Sequence, residues 1–419
     1  MGTMDSVGTN PTTLDPADSA GWADLRANAH ALLDAAIDKL EAAKDGRVWT
    51  PLPDELKESL RAPAPPAAGV SHEDLAAKLA ALLPYGVGNT HPRFFGWVHG
   101  SGAPGSVLPE LVAAAMNANC GGRDHGGIYV ERQVLGWARS MMGFPADCGA
   151  LLVSGTSMAT VVALKAARDK RLGFAASRSL GLAEALRSAG KISAGKLVGY
   201  AGEGGHSCLK RAFDLLGLGS DALRMVRVSE DFTIDLADLR ARVAADREAG
   251  HVPFAVIGTC GSVNVGAIDD LAGLADFAAA ESLWLHVDGA FGAAAVLSPA
   301  VAPRLSGLGR ADSLAFDFHK WLHVRRGGRF LPCIYPPPPE RVRAGLSGGV
   351  PHHPFLRGRS TTTAAACWCA TPTRSSAPSR SGPTTWPPPT AASPRAARGP
   401  WTMGPSSRAA SAPSRYGLT

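Results

Sequence analysis

The sequence predicts an α/β protein built on a mostly parallel sheet. Short apolar runs at 150–153, 196–200, 255–259 and 283–287 alternate with helical stretches such as 158–171 and 236–248. The runs are predominantly apolar instead of alternating with polar residues, the pattern of strands covered on both faces. Gly, Ser and Thr gather just beyond several runs, where an open parallel sheet binds its ligands.

In chain order, the first twenty residues are polar and lack a basic flank followed by an apolar stretch. They read as a disordered tail and not as a signal peptide. Apolar residues then recur at Leu25, Ala29, Leu32, Ala36, Ile37 and Leu40, a helical stripe expected over 23–45. After a Pro-rich linker, Ser71-His72-Glu73-Asp74 has capping-box spacing and opens a second helix expected to end near Pro84. Residues 21–85 therefore form an N-terminal helical segment, and 86–324 a large α/β domain. Beyond Val324 the character changes. Seventeen of the 32 prolines lie in 325–419, and no periodicity is evident there. That stretch is expected to be either a disordered Pro/Arg tail or the product of a reading-frame shift. The frameshift is favoured because three Trp sit in otherwise polar surroundings.

Bulk properties narrow the function classes. An apolar fraction of 45% with 19% charged residues fits a soluble protein, and no apolar run approaches a bilayer span. The seven cysteines are odd in number and widely spaced, which points to a reducing cytoplasm and not to a disulfide framework. Cys367 and Cys369 have no second ligand pair nearby, so no metal site is expected. The net charge of +6 comes from the tail, where 13 Arg face a single acidic residue, Glu340. This leaves 29 basic and 35 acidic residues before Arg325, a body of charge −6 that gives no ground for nucleic-acid binding.

Five segments carry candidate chemistry. Lys320, in Asp317-Phe318-His319-Lys320-Trp321, lies among aromatic residues. Desolvation favours a neutral amine, the nucleophile that a Schiff base with pyridoxal phosphate (PLP) requires, although a lysine there could equally snorkel to the surface. Asp288 ends an apolar strand in His286-Val287-Asp288-Gly289-Ala290, where it could face a pyridine nitrogen or cap a turn. Ser154-Gly155-Thr156-Ser157 runs from strand into helix, with the hydroxyls and free N–H groups of a phosphate cradle or of an ordinary N-cap. His206 follows Gly204-Gly205 and could stack on a ring or simply pack. Residues 258–269 form a glycine-rich loop suited to close approach by a ligand or to a plain connection.

In this order and spacing, the segments closely resemble the group II PLP-dependent amino-acid decarboxylases, the family of the aromatic-L-amino-acid, histidine and glutamate decarboxylases. The resemblance is carried by His91-Pro92-Arg93-Phe94-Phe95-Gly96, Ser154 to Thr160, His206-Ser207, Gly261 to Asp269, His286 to Ala290 and His319-Lys320-Trp321-Leu322, and it covers about residues 20–324. It implies a PLP-dependent transferase fold of type I, a homodimer, and decarboxylation of an L-amino acid to the amine and CO2. It also implies that Lys320 carries the cofactor, Asp288 pairs with the ring nitrogen and His206 stacks on the ring. Thr156, Ser157 and His319 would hold the phosphate with help from Ser262, Ala290 would pack on the other ring face, and Phe94, Phe95 and Trp97 would border an aromatic-leaning substrate pocket. The family carries Asn or Asp at the position of Asp317.

One departure stands out. The family's small C-terminal domain, and a tyrosine on a mobile loop that delivers a proton, would fall in 325–419. Tyr335, the only nearby tyrosine, sits in a Pro-rich setting that matches nothing in the pattern. The proton donor is therefore unassigned, and impaired stability or activity is expected. Other fold-type I PLP enzymes (aldehyde synthases, aminotransferases, desulfurases) and an inactive truncated homologue are the alternatives.

Overall fold

The computed structural model describes residues 15–64, 69–118, 124–188 and 196–325, together with the backbone of 331–335. The chain divides into two units, 1–372 and 373–419, and the second lies outside the described residues.

The N-terminal segment holds α1 (Ser19–Glu41), α2 (Asp54–Ser59) and α3 (His72–Ala80). The expected cap of α3 forms: the Asp74 N–H donates to Ser71 Oγ at 3.0 Å. α1 packs on α3, yet none of the three helices buries a residue fully. Two further helices, α4 (Val107–Met116) and α5 (Gly126–Met141), lead into the sheet.

The sheet has seven strands in the order β1-β7-β6-β5-β4-β2-β3. They are β1 (Gly149–Val153), β2 (Leu197–Gly202), β3 (Leu223–Val226), β4 (Val252–Thr259), β5 (Trp284–Asp288), β6 (Ser313–Ala315) and β7 (Leu331–Tyr335). The pairs from β3 through β6 are parallel, whereas β7 runs antiparallel between β1 and β6. The helices α6 (Thr156–Leu172), α7 (Phe174–Ser188), α8 (Cys208–Leu215), α9 (Leu236–Glu248) and α10 (Leu271–Ala280) connect the strands.

Side chains along a strand alternate between faces, and the core divides accordingly. Val198, Val256, Leu285 and Leu314 join one buried cluster with Phe277 of α10. Their neighbours Leu197, Ile257, Trp284 and Ala315 join the other with Leu164 of α6 and Phe213 of α8. This two-sided burial explains why the strand sequences are continuously apolar.

β7 corrects the sequence reading, which allowed no regular structure after Val324. An antiparallel strand here needs only five residues, and Pro332 interrupts the pattern that would reveal it. Among the described residues, no helix is long and apolar enough to cross a membrane.

Candidate active site

Register brings the chemistry to one edge. Thr259 pairs with Asp288, and Asp288 with Ala315, so β4, β5 and β6 end side by side. Two successive antiparallel pairings make β1 run the same way as β6, so α6 also starts at this edge. The loops beyond these ends surround a cavity of about 640 Å³. Lys320, Asp288, His206, Thr156, Ser157, His319, Ala290 and Trp97 all line it.

The start of α6 is open. Gly155 stands at its N-cap, and no side chain caps its first N–H groups. Thr156 is buried, and its Oγ1 has no hydrogen-bond partner. Free N–H donors, an orphaned hydroxyl and the positive end of a helix dipole together suit a phosphate dianion.

Asp288 is buried at the end of β5, where one carboxylate oxygen accepts the Ala290 N–H at 3.1 Å. Burial pushes its pKa up, against the opposing pull of that N–H, Lys320 and His206. A buried carboxylate in such a place is stabilised by a cation, which a protonated pyridine nitrogen provides. His206 presents its ring to the cavity, and its Nδ1 accepts the Cys208 N–H at 3.2 Å. The neutral ring therefore carries its proton on Nε2.

Lys320 lies in the turn after β6. Its Nζ is 2.7 Å from Asp317 Oδ2, and Asp317 is itself buried. The turn is fixed from outside by Gly100, where a Cβ would collide with the carbonyl oxygens of His319 and Lys320. Phe291 meets Trp321 edge to face with centroids 4.7 Å apart, closing the wall beside the lysine. Cys208 also lines the cavity. Burial first, and then the charge of Asp288, pushes its thiol up to about 12, so it is no competing nucleophile at neutral pH.

Behind the cavity lies a polar strut. The buried Trp284 Nε1–H donates to Ser313 Oγ at 2.7 Å. Ser313 Oγ lies 2.9 Å from His286 Nδ1, and His286 Nε2 lies 3.4 Å from Thr160 Oγ1. It ties β5 and β6 to α6, the three elements that carry Asp288, Lys320 and the phosphate cradle. Burial lowers the pKa of His286 to about 4, so the ring stays neutral.

Three sequence-based placements are corrected. Ser262 does not line the cavity, because its Oγ accepts the Ala267 N–H at 3.1 Å and stabilises the loop after β4. Phe95 is 93% exposed and does not line the cavity. Phe94 does not line the cavity and packs against Trp97 and His99, which do. The sequence reading missed His99, Val263 and Phe291 as lining residues, and missed the contact of Asp317 with Lys320. The three-residue spacing of Asp317 and Lys320 was the available signal for that contact.

A lysine, a buried carboxylate, an imidazole and an open helix start on parallel-strand ends define a PLP-binding protein, and these residues fit that cofactor. The chain belongs to the pyridoxal-dependent decarboxylase family: residues 53–328 match the family model described as the pyridoxal-dependent decarboxylase conserved domain. It is 33% identical over 234 residues to an aromatic-L-amino-acid decarboxylase of Bacillus atrophaeus, covering 55% of this chain and 45% of that protein. It is 28% identical over 300 residues to human cysteine sulfinic acid decarboxylase, covering 71% and 58%. A crystal structure of Oryza sativa TDC with PLP superposes with a TM-score of 0.66 at 27% identity, covering 79% of this chain and 69% of that one. The chain spans about half the length of the curated relatives it matches.

Proposed function

We propose that this chain decarboxylates an L-amino acid, preferring aromatic side chains, to the amine and CO2. The observation that carries this reading is the convergence of Lys320, Asp288, His206 and the open start of α6 on one cavity with an aromatic wall. Bound PLP supplies the electron sink that accepts the bonding pair left when CO2 departs. Lys320 anchors the cofactor through its amine, Thr156 and Ser157 hold its phosphate, and Asp288 keeps its ring nitrogen protonated. Trp97 and Phe291 orient an aromatic side chain beside the reacting bond.

The test is product analysis with a panel of L-amino acids: equimolar amine and CO2 support the reading. Aldehyde in place of amine would move the chain to the chemistry named for a Rhodiola rosea relative, 4-hydroxyphenylacetaldehyde synthase. Failure to turn over any of the panel while still binding PLP would favour an inactive homologue.

A homodimer belongs to this reading. α4 exposes Leu108, Leu111, Val112 and Met116, and α5 exposes Tyr129, Val130 and Trp137, apolar side chains of the kind that a subunit interface covers. Sedimentation should give a dimer that Trp137→Glu weakens; a wild-type monomer would contradict it. A reducing, cytoplasmic setting suits the buried free thiols of Cys148, Cys208 and Cys260. The frameshift reading of the C-terminal stretch stays with the proposal, supported by a family match that ends at residue 328. Resequencing that finds no inserted or missing base would sink it.

A further inference from the structure

We infer that Asp317 is a further catalytic residue: it exchanges a proton with the Lys320 amine each time that nitrogen forms or releases its covalent bond. The inference rests on the reading of Lys320 as the amine that captures the cofactor's carbonyl carbon.

Asp317 Oδ2 lies 2.7 Å from Lys320 Nζ, within direct proton-transfer distance. The carboxylate is buried, and its second oxygen, Oδ1, has no hydrogen-bond partner. Asp317 nevertheless lines the cavity with Lys320. A carboxylate placed only to neutralise an ammonium would have both oxygens satisfied. Here one oxygen touches the reacting nitrogen and the other remains available beside it.

The other titratable groups around the amine are differently placed. Asp288 acts on Lys320 through its charge, its own Oδ1 is engaged by the Ala290 N–H, and its place is at the ring nitrogen. Cys208 holds its proton too tightly to accept another. His206, which also lines the cavity, has its Nδ1 engaged by the Cys208 N–H, whereas the Asp317 carboxylate is in direct contact with Nζ.

The step balances without any further reactant. The ammonium of Lys320 gives one proton to Asp317 Oδ2, which frees the nitrogen lone pair. That pair adds to the carbonyl carbon, and water leaves as the carbon–nitrogen double bond forms. On release a competing amine adds its nitrogen to the same carbon, the bond to Lys320 breaks as the new carbon–nitrogen double bond forms, and Asp317 returns the proton to the departing lysine amine.

The experiment uses the full chain freed of cofactor, with PLP added and the absorbance of the carbon–nitrogen double bond followed in time. Asp317→Asn keeps the shape and an acceptor oxygen but cannot carry the proton. The rates of bond formation and of release by a competing amine should both fall, by about a hundredfold, the usual scale for a lost acid–base partner. Added formate should restore both rates in Asp317→Ala and leave Asp317→Asn unchanged. Binding of pyridoxamine phosphate, which has no aldehyde, should be the same in wild type and both variants, showing that the site is folded. A rate of formation in Asp317→Asn equal to or above that of wild type overturns the proposal and makes the ion pair a simple lock on the lysine. Failure of the wild-type chain to bind either compound would instead refute the reading of the site.

Discussion

Replacing Thr156 with valine should strengthen the empty protein and weaken its hold on the cofactor. Thr156 is buried at the start of α6, and its hydroxyl oxygen has no partner. Such an orphaned group costs about 1–3 kcal/mol, and valine has nearly the same shape without the hydroxyl. For a domain of this size, 1 kcal/mol corresponds to about 2–4 °C in Tm, so the cofactor-free variant should melt a few degrees higher than wild type. With PLP bound, the same hydroxyl would donate to a phosphate oxygen, a charge-assisted bond of about 1.5–3 kcal/mol. Its loss should weaken PLP binding by about ten- to a hundredfold. Thermal melts with and without PLP, together with an equilibrium titration, measure both effects, and Thr156→Ser should behave as wild type. A lower Tm in the cofactor-free valine variant with unchanged PLP affinity would refute the assignment of this hydroxyl to the phosphate site.

His286 is buried with its pKa lowered from 6.5 to about 4. The unfolded chain therefore takes up a proton that the folded chain refuses as pH falls from about 6.5 to 4, and stability present above that window is lost within it. The loss is on the order of 3 kcal/mol. Urea unfolding should show wild type losing more stability than His286→Gln between pH 7 and pH 5; the comparison cancels the opposite trend from the buried Asp269, Asp288 and Asp312, whose pKa values are raised. Equal losses would refute it. Gly100→Ala places a methyl group against the carbonyls of His319 and Lys320, so PLP loading should fall although no cavity side chain changes; full loading would show that the turn relaxes freely. Trp97→Ala should lower kcat/KM for aromatic amino acids by about two- to tenfold, chiefly through KM, and should spare aliphatic ones. An equal loss for both classes would remove Trp97 from side-chain recognition.

The sequence makes the parallel core legible because β2, β4 and β5 are largely apolar and buried on both faces, while β1 is apolar and partly buried. β3 and β6 escape because four and three residues are too short to show a period. β7 escapes because the change in composition just before it hides a strand whose pairing is entirely long-range. In the site, Asp288, His206, Thr156 and Lys320, each open to a plain structural reading taken alone and assigned only through their order and the family resemblance, all reach the cavity. Other loop side chains are not legible in this way, since their direction depends on local turns. Ser262 is drawn into its own loop by the Ala267 N–H, and Phe95 lies outside the wall that Trp97 and His99 build. The pairing of Asp317 with Lys320 depends on the turn after β6, which spacing suggests and only geometry establishes.

Everything proposed for this cavity depends on Lys320 being the amine that captures PLP. Borohydride reduction of the PLP-loaded chain, followed by proteolysis and mass spectrometry of the peptides, tests it most directly. A phosphopyridoxyl group is expected on the peptide containing Lys320, and none when Lys320 is replaced by alanine. A label that persists in that variant, or that falls on other lysines in the wild-type chain, would contradict it.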